Sequence, residues 1–583
     1  MTKKSPTCIG RVRHVLGSTV TVALNDDLAG VAPIYRGRLQ PVGQIGSLVR
    51  IPQGLVDLVA VVSLVGISEL TGVQPPVEAL QCDERWLQVQ LLGEIDRGLK
   101  EFRRGVASYP GLDDEVHFAT PEELSTVFPS ADEKHLRFGC LTAAEEVPLC
   151  LNASKLVVRH SAIVGSTGAG KTCAVSTLLQ SFIRGGWNAA NIVVVDPHGE
   201  YANALGDHSS TRSVLGEGEG GLRVPYWALP AMDILKVFAG GTGGATFQSR
   251  FSELVTEARR SFAAASNWIE LDASSITADT PIPFDIKPVW YLLDCENRET
   301  RQNKSDPSTV QMTDAGDPST LKPATFEPYN PASEAPHKGP KYDIYQTMPS
   351  LLRLGLLNPQ LKFFQSAAGE FDQPDPLVSV LQEWLGGIKP VSVLDFSGVP
   401  GNAADLAIGV ILNLIFEVAV RCQAGDPGIG RPRPVMIILE EAHRYLGEDA
   451  NPLARDAANR IAREGRKYGV GLQLVTQRPT ELPKTALAQC GTIIALRLTS
   501  SEDQSAVKAA LPDAIGGLAS ILPSLRTHEA IISGEAVILP SRICIDNPNP
   551  WPKAEDPSLL PWREVATLPD IADALKAWRG TFA

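Results

Sequence analysis

Short apolar runs separated by turn-forming residues dominate the N-terminal part of the chain. Runs such as GSLVRIPQG and DLVAVVSLVGI are rich in β-branched residues, and Gly, Pro and Asp separate each run from the next. Several short strands at this spacing are typical of a small closed barrel. Thr120, Pro121 and Glu122 then supply the residue types with which helices begin. The pattern therefore predicts an N-terminal β-barrel domain over residues 1–145.

From Lys155 onward, continuous apolar runs alternate with amphipathic ones. KLVVRHSAIVG is typical of a strand, KTCAVSTLLQSFIR of an amphipathic helix that Gly185 and Gly186 end, and NIVVVD of a second strand. The same rhythm returns in VSVLDFSGVP, PVMIILEEAHRYL and VGLQLVTQRP. Continuous apolar strands between helices indicate an α/β fold whose parallel sheet is covered on both faces. We assign residues 146–204 and 391–525 to this core.

Two further segments interrupt or follow the α/β pattern. Residues 205–390 contain the helical run FQSRFSELVTEARRSFAAASNWIE and are assigned to a helical insertion. Within them, residues 300–342 are polar and rich in Pro and Ser, which predicts an irregular or mobile surface loop. Residues 526–583 contain two strand-like runs and a Pro-rich tail, and form a C-terminal segment.

Composition narrows the classes of protein. Lys and Arg number 53 against 66 Asp and Glu, so a net charge of -13 gives no chain-wide attraction to nucleic acid, although a local basic strip is compatible with it. The nine cysteines form no CxxC pair, which favours reduced thiols over disulfides or a zinc site. The longest apolar runs, 55–67 and 405–420, are shorter than the ~20 residues of a membrane span and carry acids. With no signal-peptide pattern, we expect a cytoplasmic protein without a membrane span.

One motif carries a specific chemistry. The chain matches G-x-x-x-x-G-K-[ST] at Gly165, Ser166, Thr167, Gly168, Ala169, Gly170, Lys171 and Thr172. The motif follows an apolar strand and opens a helix, which is the context of a phosphate-binding P-loop. Its glycines let backbone N–H groups turn toward phosphate oxygens, and the helix N-terminus favours negative charge. Lys171 can reach the β- and γ-phosphates of ATP, and the Thr172 hydroxyl can bind Mg²⁺.

Two acids end a later apolar strand, VMIILEE. Glu440 and Glu441 stand where an open α/β sheet binds its ligand. One carboxylate would complete the Mg²⁺ shell, and the next would polarise an attacking water. Taken alone, the pair could equally be solvated acids at a helix start. Beside a P-loop, it favours hydrolysis over transfer of a phosphoryl group to a substrate.

Other polar side chains follow neighbouring strands. Gln477 could report the γ-phosphate and orient water, or could be a turn residue. Asp196, His198 and Glu200 could support the nucleotide site, or could serve as turn and cap residues. His443 has no second His at metal-ligand spacing, so we interpret it as a local hydrogen-bonding residue.

A cluster of cations lies in the run ANRIAREGRKYG. Its members are Arg460, Arg463, Arg466 and Lys467. One of them could act as an arginine finger on the γ-phosphate of a neighbouring subunit. The alternative is that the cations stabilise the C-terminal end of their own helix.

Five blocks in this order resemble the HerA branch of the HerA/FtsK ATPases. They are RHSAIVGSTGAGKT, VVVDPHGEY, ILEEAHRYL, AREGRKYGVGLQLVTQRP and SGEAVILP. The N-terminal runs are similar to the small HAS-type barrel of that branch. The resemblance implies a P-loop RecA-like (ASCE) ATPase core with an N-terminal small β-barrel, a helical insertion and a C-terminal strand strap that lies across a neighbouring subunit.

The resemblance also implies roles for particular residues. Glu440 matches the Mg²⁺-side acid, Glu441 the catalytic carboxylate and Gln477 the sensor. Arg466 matches the trans-acting finger, and Arg159 a second arginine near the neighbour's phosphates. Many relatives have Asp-Glu where this chain has Glu440-Glu441.

The implied activity is ATP-driven movement of double-stranded DNA through a homohexameric ring. Family members work with partners: a NurA-like nuclease in DNA-end resection, or a sirtuin-type NAD hydrolase or nuclease as effector in anti-phage defence. The partner usually docks on the barrel ring. A ring scaffold that licenses an effector, with ATP as a switch, is the alternative. A conjugative or secretion-type DNA pump is a third possibility, against which the expected lack of a membrane span argues.

Overall fold

The computed structural model describes most of the chain. The described residues are 5–25, 34–35, 38–39, 44–67, 85–216, 220–332, 334–364, 375–399, 401–422, 428–511, 516–553, 559–563 and 571–578.

The N-terminal strands close into a small barrel. The strands of this part are β1 (Cys8–Leu16), β2 (Thr19–Leu24), β3 (Ile34–Tyr35), β4 (Arg38–Leu39), β5 (Leu48–Gln53), β6 (Val56–Ile67), β7 (Arg85–Asp96), β8 (Glu101–Arg104) and β9 (Glu115–Phe118). Strands β3 and β4 form a separate two-stranded sheet, and β8 pairs with β7 outside the circle. Six strands follow one another in the order β2, β1, β9, β5, β6 and β7, and pairing of β7 with β2 closes the circle. The inward side chains of Val12, Val22, Val49, Leu58 and Val89 are fully buried in a core of the barrel's own. Alternation of apolar and polar residues along each strand thus produces a separate module.

The rest of the chain is built on one large sheet. Its strands are β10 (His135–Leu141), β11 (Ala144–Asn152), β12 (Ser161–Val164), β13 (Asn191–Asp196), β14 (Ser209–Ser213), β19 (Val391–Asp395), β20 (Val435–Leu439), β21 (Val470–Thr476), β22 (Thr492–Ala495), β23 (Glu529–Gly534) and β24 (Ser541–Ile545). Their order is β11-β10-β24-β23-β22-β12-β21-β20-β13-β19-β14. The seven strands from β22 to β14 are parallel, and the other four are antiparallel. The prediction of a buried parallel sheet in an α/β core is confirmed.

Helices cover both faces of the sheet and fill the insertion. They are α1 (Pro121–Val127), α2 (Ala153–Val158), α3 (Lys171–Arg184), α4 (Ala202–Leu205), α5 (Ala231–Ala239), α6 (Ala245–Ala265), α7 (Ile286–Arg298), α8 (Met348–Leu357), α9 (Pro376–Trp384), α10 (Gly401–Arg421), α11 (His443–Leu446), α12 (Pro452–Tyr468), α13 (Lys484–Gln489), α14 (Ser501–Ala510), α15 (Gly516–Ala519) and α16 (Ala572–Trp578). The predicted helix start at Thr120 is confirmed: its hydroxyl caps Glu123 N–H, and the Glu123 carboxylate accepts from Thr120 N–H.

The strand pairings of the large sheet place three segments differently from the domain boundaries predicted from the sequence. β10 lies before the predicted end of the barrel at residue 145, yet it pairs with β24 of the large sheet. β14 lies inside the predicted insertion, yet it extends the sheet beside β19. β23 and β24, predicted as part of a strap across a neighbour, pair within their own subunit. In each case a long-range strand pairing decides the outcome, and local sequence pattern does not encode such a pairing.

The polar loop at 300–342 contains short paired strands. β15 (Thr300–Arg301) pairs with β18 (His337–Lys338), and β16 (Met312–Asp314) pairs with β17 (Thr325–Phe326). Lys322, in the connection between β16 and β17, donates to Asp314 over 2.7 Å. The segment is therefore irregular but internally hydrogen-bonded, and its mobility stays a prediction.

Helix α10 is longer than the apolar run on which the sequence-based expectation of no membrane span was based. It is 21 residues long, and its most apolar window has a mean hydropathy of 2.0, so length and composition alone would let it cross a membrane. The run is longer than the sequence estimate because the helix begins at Gly401. However, 67% of that window is buried inside the protein, where α10 packs against α12. That burial is typical of a core helix.

Candidate functional site

The predicted P-loop, acids and glutamine come together at one edge of the large sheet. Strands β12, β21, β20 and β13 are neighbours and run parallel, so their C-terminal ends meet at the same edge. The P-loop follows β12, Gln477 follows β21, Glu440 and Glu441 follow β20, and Asp196 ends β13. Open α/β sheets bind ligands at this edge.

The P-loop has the backbone shape that its glycines allow. Gly168 and Gly170 have φ values of +72° and +102°, in the left-handed region that favours glycine. A Cβ on Gly170 would lie 2.6 Å from the His528 ring, so a side chain has no room there. The loop opens directly into α3, whose first residue is Lys171. Its N–H groups and helix end are thus placed to receive an anion.

Gln477 and the P-loop are joined by a side-chain hydrogen bond. The Thr167 hydroxyl donates to Gln477 Oε1 over 2.6 Å. This bond fixes the glutamine at the mouth of the loop and leaves its amide N–H₂ group available to a ligand. Gln477 is therefore in contact with the P-loop, and its role as a sensor stays a prediction.

Three acids surround the start of α3. Glu440 is buried, and burial, followed by repulsion from Glu441, raises its pKa to about 8. The Tyr201 hydroxyl donates to Glu440 Oε1. Asp196 is also buried, and burial raises its pKa to about 6 although it accepts from the N–H groups of His198 and Gly199 at 3.1 and 2.8 Å. The Thr172 hydroxyl donates to Glu200 Oε2 over 2.9 Å.

Glu441 occupies a conformation that non-glycine residues rarely adopt. Its φ is +50°, in the left-handed region, which turns its side chain away from the line of β20. Its Oε2 atom is buried without a hydrogen bond among the described residues and lies 3.3 Å from His443 Nδ1. His443 Nδ1 is also 3.1 Å from the Thr476 hydroxyl, which accords with a local hydrogen-bonding role. A buried carboxylate oxygen with spare accepting capacity is what a base for water requires.

Arg159 and Arg466 lie at the opposite edge of the sheet. Arg159 precedes β12, and Arg466 lies in the last turn of α12, just before β21 begins. His160 lies between the two arginines: its Nδ1 accepts from Leu472 N–H over 2.9 Å, and its pKa is lowered chiefly by burial and further by the charge of Arg466. Arg159 forms an ion pair with Glu535, whereas Arg466 is exposed. Neither arginine contacts the P-loop of its own subunit.

Sequence reasoning missed three participants. Tyr201 was not singled out, although an aromatic residue with a polar tip beside acids at a strand end is a usable signal. Glu535 has no such signal, because only folding brings it to Arg159. Residues 549–553 also reach the nucleotide edge: Lys553 N–H donates to the Glu200 carbonyl over 2.9 Å, and the Trp551 ring lies 5.7 Å from that of His528.

Comparisons with known proteins identify the family of the chain. A family model described as "Helicase HerA, central domain" matches residues 136–415, and one described as "Helicase HerA-like C-terminal" matches residues 408–536. The chain belongs to the HerA family. It is therefore a P-loop ATPase of the HerA/FtsK group, as the five sequence blocks imply.

Relatives from archaea match most of the chain. "Probable helicase MJECL08" of Methanocaldococcus jannaschii is 24% identical over 84% of this chain and 86% of its own length. "DNA double-strand break repair helicase HerA" of Sulfolobus acidocaldarius is 28% identical over 79% of each protein. Among solved structures, VirB4 of Thermoanaerobacter pseudethanolicus has a TM-score of 0.41 and 13% identity, covering 71% of this chain and 97% of that one.

His160 gives this HerA-family chain a testable pH dependence. Burial lowers its pKa to about 4 from the ordinary 6.5, so protons bind the unfolded state first as pH falls. The contribution of His160 to the free energy of unfolding is full above pH 6.5. It decreases as pH falls toward 4, by about 2 kcal/mol at pH 5. Asn tolerates the φ of +49° at this position. We expect the unfolding temperature of His160→Asn to fall less than that of the natural protein between pH 7.5 and pH 5. If calorimetry shows equal falls of the two unfolding temperatures, the lowered pKa of His160 is contradicted.

Proposed function

We propose that this protein is a cytoplasmic homohexameric ATPase that moves double-stranded DNA through its ring. It would work with a partner nuclease or effector in DNA-end processing or anti-phage defence. One observation carries the proposal: the P-loop and the two arginines lie at opposite edges of the same sheet. The four residues of β12 span about 13 Å between them, at ~3.3 Å per residue, which exceeds the reach of an arginine side chain. Each site is then completed by the opposite edge of a neighbouring subunit.

The names of the relatives support the DNA part of the proposal. Two of them are called a probable helicase and a DNA double-strand break repair helicase. The chain's net charge of -13 gives no support of its own, so contact with DNA would depend on local positive strips inside the ring. Between DNA-end processing and anti-phage defence, the name of the Sulfolobus acidocaldarius relative favours DNA-end processing.

The acids at the P-loop fit a magnesium ion. Thr172, Glu200 and Glu440 offer oxygen atoms beside Lys171, and oxygen is the ligand that Mg²⁺ prefers. Burial raises the pKa values of Glu440 and Asp196, and repulsion from Glu441 adds to the shift at Glu440, so a bound divalent cation would stabilise their ionised forms. We propose that Thr172 and Glu440 hold the ion, which when bound would neutralise phosphate charge.

The chain's own residues then account for hydrolysis of ATP. Lys171 and the P-loop N–H groups hold the β- and γ-phosphates. Glu441 accepts a proton from water as the water oxygen bonds to the γ-phosphorus, and the bond from that phosphorus to the bridging oxygen of ADP breaks. Gln477, held by Thr167, orients the water or the γ-phosphate. Arg466 and Arg159 of the adjacent subunit stabilise the charge that develops on the transferred group.

The roles of Lys171 and Glu441 predict different defects. Lys171→Ala should weaken ATP use at binding or chemistry, because the phosphates lose their cation. Glu441→Gln should bind ATP with unchanged affinity but reduce turnover at least about 100-fold, because the base is lost. Nucleotide titration and steady-state phosphate release measure the two effects. Glu464→Gln, an exposed acid on α12, is the matched control. Normal turnover in Glu441→Gln would remove the assignment of the base.

A finger that acts between subunits predicts complementation. Arg466→Ala should leave ATP binding intact and lower turnover by about 10³–10⁵-fold. Mixed with Glu441→Gln subunits, it should form some interfaces that combine an intact base with an intact finger, and these should recover phosphate release. Arg463→Ala, another exposed arginine of α12, is the control and should keep its activity.

A failure to complement has two explanations that a second design separates. Either Arg466 acts within its own subunit, or strict coordination around the ring silences mixed assemblies. A tandem fusion of the two variants fixes one mixed interface in every pair. Silence in that fusion as well, after hexamer formation has been verified, would overturn the trans assignment.

The barrel offers a surface for the partner protein. The β1–β2, β5–β6 and β7–β8 turns and the loop before β9 lie at one end of the barrel, since the paired strands are antiparallel. That end carries large apolar side chains that are 55–85% exposed, namely Leu16, Leu55, Leu99, Tyr109 and Leu112. Apolar side chains clustered in this way favour a protein interface. We name these five residues the apolar barrel end.

Charges placed in the apolar barrel end should release the partner. The double variant Leu55→Asp/Leu99→Asp should lose the nuclease or NAD hydrolase that co-purifies from the native host, identified by mass spectrometry, and should retain its ATPase activity. Leu351→Asp/Leu354→Asp, on the exposed face of α8, is the control. Retention of the partner by the barrel variant would place docking elsewhere.

Effector activity that survives Lys171→Ala would favour the alternative function, a ring scaffold that licenses an effector.

A further inference from the structure

Three metal-ligating side chains meet at one seam of the barrel. Cys8 and His117 are direct partners in the β1–β9 pairing, and Glu115 lies two residues before His117 on the same strand. A shift of register between Cys8 and Gly10 re-aims the start of β1. As a result, Cys8 Sγ, a carboxylate oxygen of Glu115 and a ring nitrogen of His117 all lie within 4.8 Å of one another.

Each of the three side chains is held by a second partner. The Thr7 hydroxyl lies 2.9 Å from His117 Nδ1, which leaves Nε2 directed at Glu115 Oε2, 3.7 Å away. Arg11 donates to the other Glu115 oxygen, Oε1, over 2.8 Å. Asn25 Nδ2 lies 3.8 Å from Cys8 Sγ, within range of a weak hydrogen bond to sulfur. Outer partners that orient the ligands in this way are characteristic of metal sites.

The donor set fits a zinc-type ion. Thiolate, imidazole and carboxylate are the ligands of zinc in proteins, with bonds of about 2.0–2.3 Å, so tetrahedral ligand atoms lie roughly 3.3–3.7 Å apart. Rotations that bring these atoms closer by about 1 Å would reach that spacing. The thiolate and the carboxylate together balance a divalent charge. Arg50, opposite His117 on β5, directs its guanidinium to Glu123 and Asp57 at 2.9 and 3.4 Å, so its charge is already paired.

We propose that Cys8, Glu115 and His117 bind one zinc-type divalent transition-metal ion, with a fourth coordination position open to water. The ion would fasten the start of β1 to the end of β9. Because β9 leads at once to Thr120 and α1, this seam lies where the barrel joins the ATPase sheet. No residue of the proposed hydrolysis site takes part, so the inference stands apart from the proposed function.

Cobalt provides the test, because Co²⁺ bound to a cysteine thiolate has a sulfur-to-metal absorption band that oxygen ligands cannot produce. The full chain, freed of metal by a chelator, is titrated with Co²⁺ in excess Mg²⁺, which occupies oxygen-only sites. We expect one equivalent to give this band, together with the visible bands of tetrahedral cobalt, and Zn²⁺ to displace it. Zn²⁺ should also raise the unfolding temperature of the barrel.

Four variants and one control decide the outcome. Cys8→Ser should abolish the sulfur band, and His117→Gln and Glu115→Gln should weaken cobalt affinity by at least 10-fold. Thr7→Val should weaken it about 10–100-fold while keeping the band, because Thr7 only orients the imidazole. Cys544→Ser, an exposed cysteine of the large sheet, should behave as the natural protein does. Circular dichroism verifies that each variant is folded. Absence of the band from the natural protein, or its persistence in Cys8→Ser, would overturn the proposal.

Discussion

The parallel pairing of β12, β21, β20 and β13 is the constraint on which the site depends. Neighbouring strands lie about 4.8 Å apart, and parallel strands end at the same edge. Thr167 and Gln477, separated by 310 positions in the chain, therefore meet in a hydrogen bond. The strands are buried on both faces, so their register is fixed by packing as well as by backbone hydrogen bonds. The segments that carry the site residues therefore begin from strands whose register is fixed.

Burial of acids gives this edge its chemical character. Glu440 and Asp196 both have pKa values raised chiefly by burial, and the charge of Lys171 opposes the shift at Glu440. Hydrogen bonds from the Tyr201 hydroxyl and from the amides after Asp196 partly compensate the loss of water. The site therefore concentrates oxygen ligands and an available base around a phosphate-binding loop. A divalent cation bound together with a nucleotide would place positive charge beside these carboxylates.

The same sheet separates the two groups of residues that the proposed function brings together. Its nucleotide edge carries the P-loop and Glu441, whereas the opposite edge carries Arg159 and Arg466. Gly491 connects this opposite edge to β23: its N–H donates to the Arg159 carbonyl over 2.8 Å, and its carbonyl accepts from Glu535 N–H over 2.7 Å. The barrel has a core of its own, and the proposed docking surface belongs to it. Association into a ring would bring the nucleotide edge of one subunit against the opposite edge of its neighbour. The proposed metal site lies elsewhere, between β1 and β9 of the barrel.

The sequence by itself determined the features that depend on interactions between residues close together in the chain. The P-loop, the acids after β20 and the capped start of α1 were predictable, because glycine conformation, strand periodicity and helix capping act over a few residues. The approximate extent of barrel and core followed from the same periodicity. Tertiary structure alone decided that β10, β14, β23 and β24 belong to the large sheet. It alone brought Tyr201 to Glu440, Glu535 to Arg159, and Cys8 to His117. These contacts join residues far apart in the chain, and strand pairing that only the folded chain establishes creates them.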